Sequence, residues 1–140
     1  MGREQQRVAA YAVVTDEHDR VLLVLSGPDD GDRWFLPGGG VEFGEDPEAA
    51  LRREVMEETG QQVDGLTLRH VLSDVDSAAD RELHSIRIIY DARVTPGREL
   101  RDEVDGSSVR ASWVPLRDAP DLELAPFVRV CLDRYGWSSA

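Results

Sequence analysis

At 140 residues, with 28 acidic against 16 basic side chains and a net charge of −12, the chain has room for one domain with a real core. That charge disfavours a long DNA or RNA polyanion, favours capture of cations, and leaves any phosphate ligand to be received by local arginines or a metal. All 16 basic residues are arginine, which excludes a lysine base, a Schiff-base lysine and a phosphate-loop lysine. The single Cys131 excludes an internal disulfide and a cysteine metal site, and its apolar setting marks it as a core thiol. No 18-residue apolar run or signal-like start is present, so residues 1–140 are expected to form a single soluble, cytoplasmic domain with no membrane partner.

In chain order, residues 1–6 are polar and predict a frayed start. Residues 8–14 (VAAYAVV) and 21–25 (VLLVL) are apolar on both alternations, so each reads as a strand covered on both faces, and the intervening turn suggests a hairpin in a central sheet. A loop at 27–33 leads through Trp34 and Phe35 into Pro37-Gly38-Gly39-Gly40, where the backbone can approach a ligand without obstruction by a Cβ. Residues 66–75 and 84–94 alternate with period two and predict long paired strands, with the polar stretch 76–82 connecting them. His70, His84 and His18 are read as non-catalytic, and His70 as a hydrogen-bonded core or cleft-edge residue. Residues 95–108 form a charged loop and 109–116 a short strand with Trp113 facing core or cleft. From Ala125, the spacing of Phe127, Val130, Cys131 and Tyr135 predicts an amphipathic helix ending before Gly136.

The most informative stretch lies between the glycine run and the first long strand. Asp46 is a good N-cap, Pro47 suits the first helical position and Gly60 the left-handed position past the end, so residues 47–59 predict a helix. At about 100° per residue, Glu54, Glu57 and Glu58 share one face. A solvated acidic surface is the ordinary meaning of such a triplet. Here Leu51, Val55 and Thr59 form a stripe beside Glu58, and Ala49 and Met56 occupy another side, so the glutamates are expected to line a cleft. Crowded carboxylates call for an offsetting cation, and hard divalent ions are the usual occupants.

Gly39, five residues, Glu45, seven residues, then Arg53-Glu54-Val55-x-Glu57-Glu58-x-Gly60 resembles the Nudix box of the Nudix hydrolases in every spacing. One position departs: Gln61 stands where an aliphatic residue usually follows the final glycine. The resemblance implies an α/β protein, an α/β/α sandwich with a mixed β-sheet, consistent with the strand and helix order. It implies that Glu54, Glu57 and Glu58, with the Gly39 carbonyl, hold Mg²⁺ or Mn²⁺, that Arg53 and Glu45 support them, and that Glu54 is also a candidate to activate water. Relatives often add an acid in a loop ahead of a downstream strand. Arg110 occupies the near position here, which leaves Glu99, Asp102, Glu103 and Asp105, of which Glu103 is selected; a solvated charge cluster is the competing role for that loop.

For the substrate, Trp34, Phe35 and Tyr90 are candidates to stack on a base, with core packing the competing role for Phe35 and Tyr90, and Arg33 or Arg98 to meet phosphate. The implied reaction is hydrolysis of a nucleoside diphosphate linked to another moiety, with a nucleoside triphosphate as the leading substrate. ADP-ribose, dinucleoside polyphosphates and nucleotide sugars stay open. A non-hydrolytic nucleotide sensor and a plain acidic scaffold are the readings from other classes, and a homodimer remains an option.

Overall fold

The computed structural model describes residues 3–28, 31–78, 80–103 and 108–137. Strands β1 (Arg3–Val14), β2 (Arg20–Ser26), β3 (Trp34–Phe35) and β4 (Gly38–Gly40) precede helix α1 (Pro47–Thr59). Strands β5 (Val63–Ala78), β6 (Arg81–Val94) and β7 (Ser108–Pro115), a 3₁₀ turn at Ala119–Asp121, and helix α2 (Pro126–Tyr135) follow. Four strands form a mixed sheet in the order β4-β1-β6-β5, with β1 and β6 parallel and the other pairs antiparallel. The other three form an antiparallel sheet in the order β3-β2-β7.

Each helix covers one face of the mixed sheet, and β1 shows why both its alternations are apolar. Ala9, Tyr11 and Val13 pack with Phe127, Val128 and Cys131 of α2, whereas Ala10, Ala12 and Val14 pack with Leu51 and Val55 of α1. Full burial of side chains such as Leu22, Leu36 and Leu51 stabilises the fold by about 1.5–3 kcal/mol each. The α/β/α arrangement with a mixed sheet is therefore observed. Among the described residues, no helix is long and apolar enough to cross a membrane.

The local signals of α1 operate as read. The Asp46 carboxylate accepts from the Glu48 N–H at 2.8 Å, Pro47 opens the helix, and Gly60, at φ 74°, donates its N–H to the Met56 carbonyl.

Four expectations are corrected. The strands β1 and β2 are joined by a turn and one isolated bridge, Thr15 to Val21, and then diverge into different sheets rather than forming a hairpin in one. Residues 3–6 are not frayed: they pair with β6 from Arg3 opposite Arg81 onward. The polar stretch 76–82 is mostly ladder, with Asp76 opposite Leu83 and Ala78 opposite Arg81, because this three-stranded end of the sheet, shared with Arg3 to Gln5 of β1, lies in solvent and needs no apolar face. On α2 the buried stripe runs through Phe127, Val128 and Cys131, leaving Val130 and Tyr135 exposed.

Candidate active site

The glycine run of β4 is what lets α1 reach the sheet. A Cβ at Gly38 would lie 2.1 Å from the Ala10 carbonyl oxygen, and its φ of 142° already excludes ordinary side chains. A Cβ at Gly39 would lie 2.7 Å from Cδ of Glu54, so that carboxylate rests directly against the Gly39 backbone. One helical turn on, Glu58 turns inward: it is 6% exposed, and its Oε1 accepts the Gly38 N–H at 2.8 Å. Two of the three box glutamates are thus held against glycine backbone.

Arg53 organises the rest. Its Nε and Nη2 donate to both oxygens of Glu45 at 2.9 Å, its Nη1 to Oε1 of Glu54 at 3.0 Å, and its Nη2 also to the Gly40 carbonyl at 3.2 Å. The two-pronged pair with Glu45 fixes the plane of the guanidinium, and the remaining nitrogen orients Glu54. Glu57 lies at 3.7 Å from the same Nη1 and stays half-exposed. The Arg53 guanidinium holds the Glu45 carboxyl down at about 2.

The inner glutamates shift the other way. Burial pushes the Glu58 carboxyl well above its ordinary value, the Gly38 N–H opposes this, and the charges of Glu54, Glu103 and Glu57 add to it. Burial also raises Glu54, against the pull of Arg53, with Glu57 and Glu103 adding repulsion. Glu57 and Glu103 thus add repulsion at both inner glutamates, which a cation would relieve.

A cleft of about 240 Å³ opens over these residues, lined by Glu54, Glu58, Gly38 to Gly40, Ser26, Phe35, Tyr11 and Arg7. Arg7 was missed by the sequence reading. Its Nη2 stands 3.4 Å from where a Gly40 Cβ would be, so the missing side chain at Gly40 makes room for the guanidinium. The available signal was parity: Arg7 alternates with Ala9 and Tyr11 on β1 once the strand is extended back through the polar start.

The other sequence candidates are placed differently. Trp34 is not among the residues lining this cleft; its ring packs at the edge of the core with the Arg110 guanidinium 5.4 Å above it. Arg33 is exposed and joins Ser26 through its backbone, its N–H donating to Oγ at 3.0 Å. Arg98 lines a separate depression of about 430 Å³ with Arg20, Arg93, Trp113 and Gln61. Phe35 lines the cleft, whereas Tyr90 is buried in the core beneath α1. Of the loop acids, Glu99 is exposed, Asp102 accepts the Ala111 N–H at 3.1 Å, Glu103 is the one whose charge acts on Glu54 and Glu58, and Asp105 lies outside the described residues. His70 stacks on Tyr135 at 3.7 Å and meets Cys131 Sγ at 3.5 Å, away from the cleft.

The ligands implied by the resemblance, the carboxylates of Glu54, Glu57 and Glu58 and the Gly39 carbonyl, are all hard oxygens. Among the described residues, no group of three or more His, Cys, Asp or Glu is placed to hold a metal ion. Hard oxygens are the ligand type that Mg²⁺ and Mn²⁺ take, alongside waters and substrate oxygens.

Comparison with known proteins agrees with this geometry. The NUDIX domain model matches residues 5–135. The chain is 34% identical over 111 residues to the 8-oxo-dGDP phosphatase NUDT18 of Homo sapiens, covering 78% of this chain and 32% of that protein. It is 35% identical over 119 residues to diphosphoinositol polyphosphate phosphohydrolase 3-beta of Bos taurus, covering 82% and 66%. The chain thus spans about a third of the first and just under two thirds of the second. Among solved structures, the MutT NUDIX hydrolase from Burkholderia pseudomallei superposes with a TM-score of 0.78 at 30% identity over 94% of this chain and 98% of that one. A NUDIX hydrolase from Nitrosomonas europaea shares the fold, with a TM-score of 0.77 at 24% identity over 94% and 88%. With box spacing, glycine-backed glutamates and a family match over nearly its whole length, the chain belongs to the Nudix hydrolase family.

Proposed function

We propose that this protein hydrolyses the diphosphate linkage of a nucleoside diphosphate joined to another moiety, with a nucleoside triphosphate as the leading substrate, using Mg²⁺ or Mn²⁺. The observation that carries the reading is that Glu54, Glu58 and Arg7 line one cleft against bare glycine backbone. Glu54, Glu57 and Glu58, with the Gly39 carbonyl, hold the ion. When bound, it supplies charge neutralisation at the diphosphate and activation of water.

The protein's own groups do the rest. Arg53 keeps Glu54 aimed across Gly39, and Glu45 keeps Arg53 in plane. Arg7 meets a phosphate oxygen at the cleft wall with its guanidinium fork. Glu54 or Glu103 takes the proton of the attacking water as its oxygen bonds to phosphorus, and the bridging P–O bond breaks with its electrons passing to the departing phosphate.

Charge bears on the choice among substrates. Among the described residues lining the cleft, Arg7 is the one cation, while Tyr11 and Phe35 supply aromatic surface. A highly phosphorylated inositol, the substrate class named for the bovine relative, calls for a dense basic wall. A nucleoside diphosphate group, as named for the human relative, offers one ring to stack and few phosphates, which suits this lining better.

The test is a chromatographic screen for hydrolysis products (phosphate, pyrophosphate and phosphate monoesters) without metal, with Mg²⁺ and with Mn²⁺. Its panel holds nucleoside triphosphates, 8-oxo-dGDP, ADP-ribose, nucleotide sugars, dinucleoside polyphosphates and a diphosphoinositol polyphosphate. Metal-dependent turnover of a nucleotide is the expected outcome. Calorimetric binding of a nucleotide with no hydrolysis product formed would instead indicate a sensing domain.

A further inference from the structure

Gln61, the residue that departs from the box pattern, is fully enclosed rather than solvated: it is 2% exposed. Its backbone N–H donates to Thr59 Oγ1 at 3.2 Å, and that hydroxyl donates to the Val55 carbonyl at 2.7 Å, so its base is fixed to the last turn of α1. Its side-chain Nε2 donates to the Arg98 carbonyl at 3.1 Å. A buried amide reaching across 37 positions of sequence is a costly way to fill a pocket that an aliphatic residue fills without desolvating polar atoms.

What the amide holds is a strap. The Thr95 N–H donates to the Gln62 carbonyl at 2.9 Å, and the Arg101 N–H to the Thr59 carbonyl at 3.0 Å. Leu100 packs against the core cluster containing Leu51 and Val55, and the Asp102 carboxylate accepts from the Ala111 N–H in the middle of β7. Residues 95–103 are thus laid along the end of the helix that carries Glu57 and Glu58. Gln61 supplies a side-chain tie in the middle of this strap, and Glu103 directly follows Asp102.

We infer that Gln61 is a positioning residue: by holding the Arg98 carbonyl it sets the strap that presents the Glu103 carboxylate to the glutamate cleft. The inference rests on that cleft being the reacting site, as proposed above. The repulsion of Glu54 and Glu58 by Glu103 supports the placement. Small displacements of a reacting group are costly, with about 1 Å capable of lowering a rate about 100-fold.

Gln61→Leu restores an aliphatic side chain of similar size and removes the amide, and with it the donor to the Arg98 carbonyl. The expected result in hydrogen exchange is at least about tenfold faster exchange at the Arg101 and Ala111 amides, with the Gly60 amide unchanged. In the metal-loaded enzyme, kcat falls about tenfold with KM within about twofold, and in a Glu103→Gln background the same substitution costs no more than about twofold. Gln61→Met, unbranched and also without a donor, serves if the leucine variant does not fold. Unchanged exchange at Arg101 and Ala111, an unaltered kcat, or additive losses in the double variant would each overturn the inference. If the wild type hydrolyses no nucleotide, the proposed function fails, while exchange still decides whether Gln61 sets the strap.

Discussion

Helix α2 meets the sheet with Phe127, Val128 and Cys131, all buried, while helix α1 meets the opposite face with Leu51 and Val55 and turns Glu54 and Glu58 inward beside them. The strand β1 between them is apolar on both sides. What differs is the backbone alongside: α1 lies against β4, three glycines with no side chains to exclude a carboxylate, and α2 lies against aromatic rings. Charge can be buried in this fold where backbone N–H groups and an arginine receive it, whereas α2 meets the opposite face through apolar and aromatic side chains.

The largest expected effect falls on the α2 side. Phe127 stands 4.6 Å from the Tyr11 ring and 5.9 Å from that of Phe35, so Phe127→Ala is expected to lower unfolding free energy by about 3–5 kcal/mol. Denaturant titration reads this, and the Mn²⁺ affinity of the folded fraction should not move. A Mn²⁺ affinity that fell with it would show that the two faces are not separable.

On the α1 side the expected effects reverse. Arg53→Ala leaves Glu45 and Glu54 without their shared partner and is expected to cost about 10–100-fold in metal affinity or turnover, as losses of ligand-orienting groups do. Titration calorimetry with Mg²⁺ and steady-state rates check it. A loss of stability with metal affinity intact would make Arg53 a structural clasp only.

The smallest effect is the pH dependence of the metal-free protein. Burial holds the folded-state pKa of Glu58 above its unfolded value of about 4.3, so the folded form carries the extra proton. Its contribution to stability is fully present below about pH 4 and is lost as pH rises through the raised value. Glu58→Gln should flatten that decline in melting temperature in chelator. His70, lowered by burial, works in the opposite direction as pH falls below about 6.5, so the difference between wild type and variant isolates Glu58. Equal slopes for both proteins would contradict the buried-carboxylate account.

What the sequence disclosed follows the range of the interactions. The caps of α1 were readable because Asp46 and Gly60 act within one turn of themselves, and box spacing placed three glutamates on one face for the same reason. Sheet membership was not readable. Strands covered on both faces, such as β1 and β2, carry no alternation that says which neighbour they join, and the parallel pairing of β1 with β6 spans most of the chain. Arg7 was hidden because its role depends on that pairing and on the bare Gly40 beside it. On α2, Val128 and Val130 fit helical spacing equally well, and only the direction of Tyr11 and Phe35 decides between them. The same limit applies to Arg98, whose loop position says nothing about which depression it enters.

The central claim is that the glutamate face of α1 is a metal-dependent hydrolytic centre. Glu57 offers the most direct test, because it is half-exposed and its replacement by glutamine leaves the ties of Glu54 and Glu58 to Arg53 and Gly38 in place. The measurement is turnover of the preferred nucleotide by wild type and Glu57→Gln across a Mg²⁺ titration to saturation. A loss of at least about 100-fold at saturating metal, with the melting temperature of the apo protein maintained or raised, is the predicted result. Undiminished turnover at saturating Mg²⁺ would contradict it.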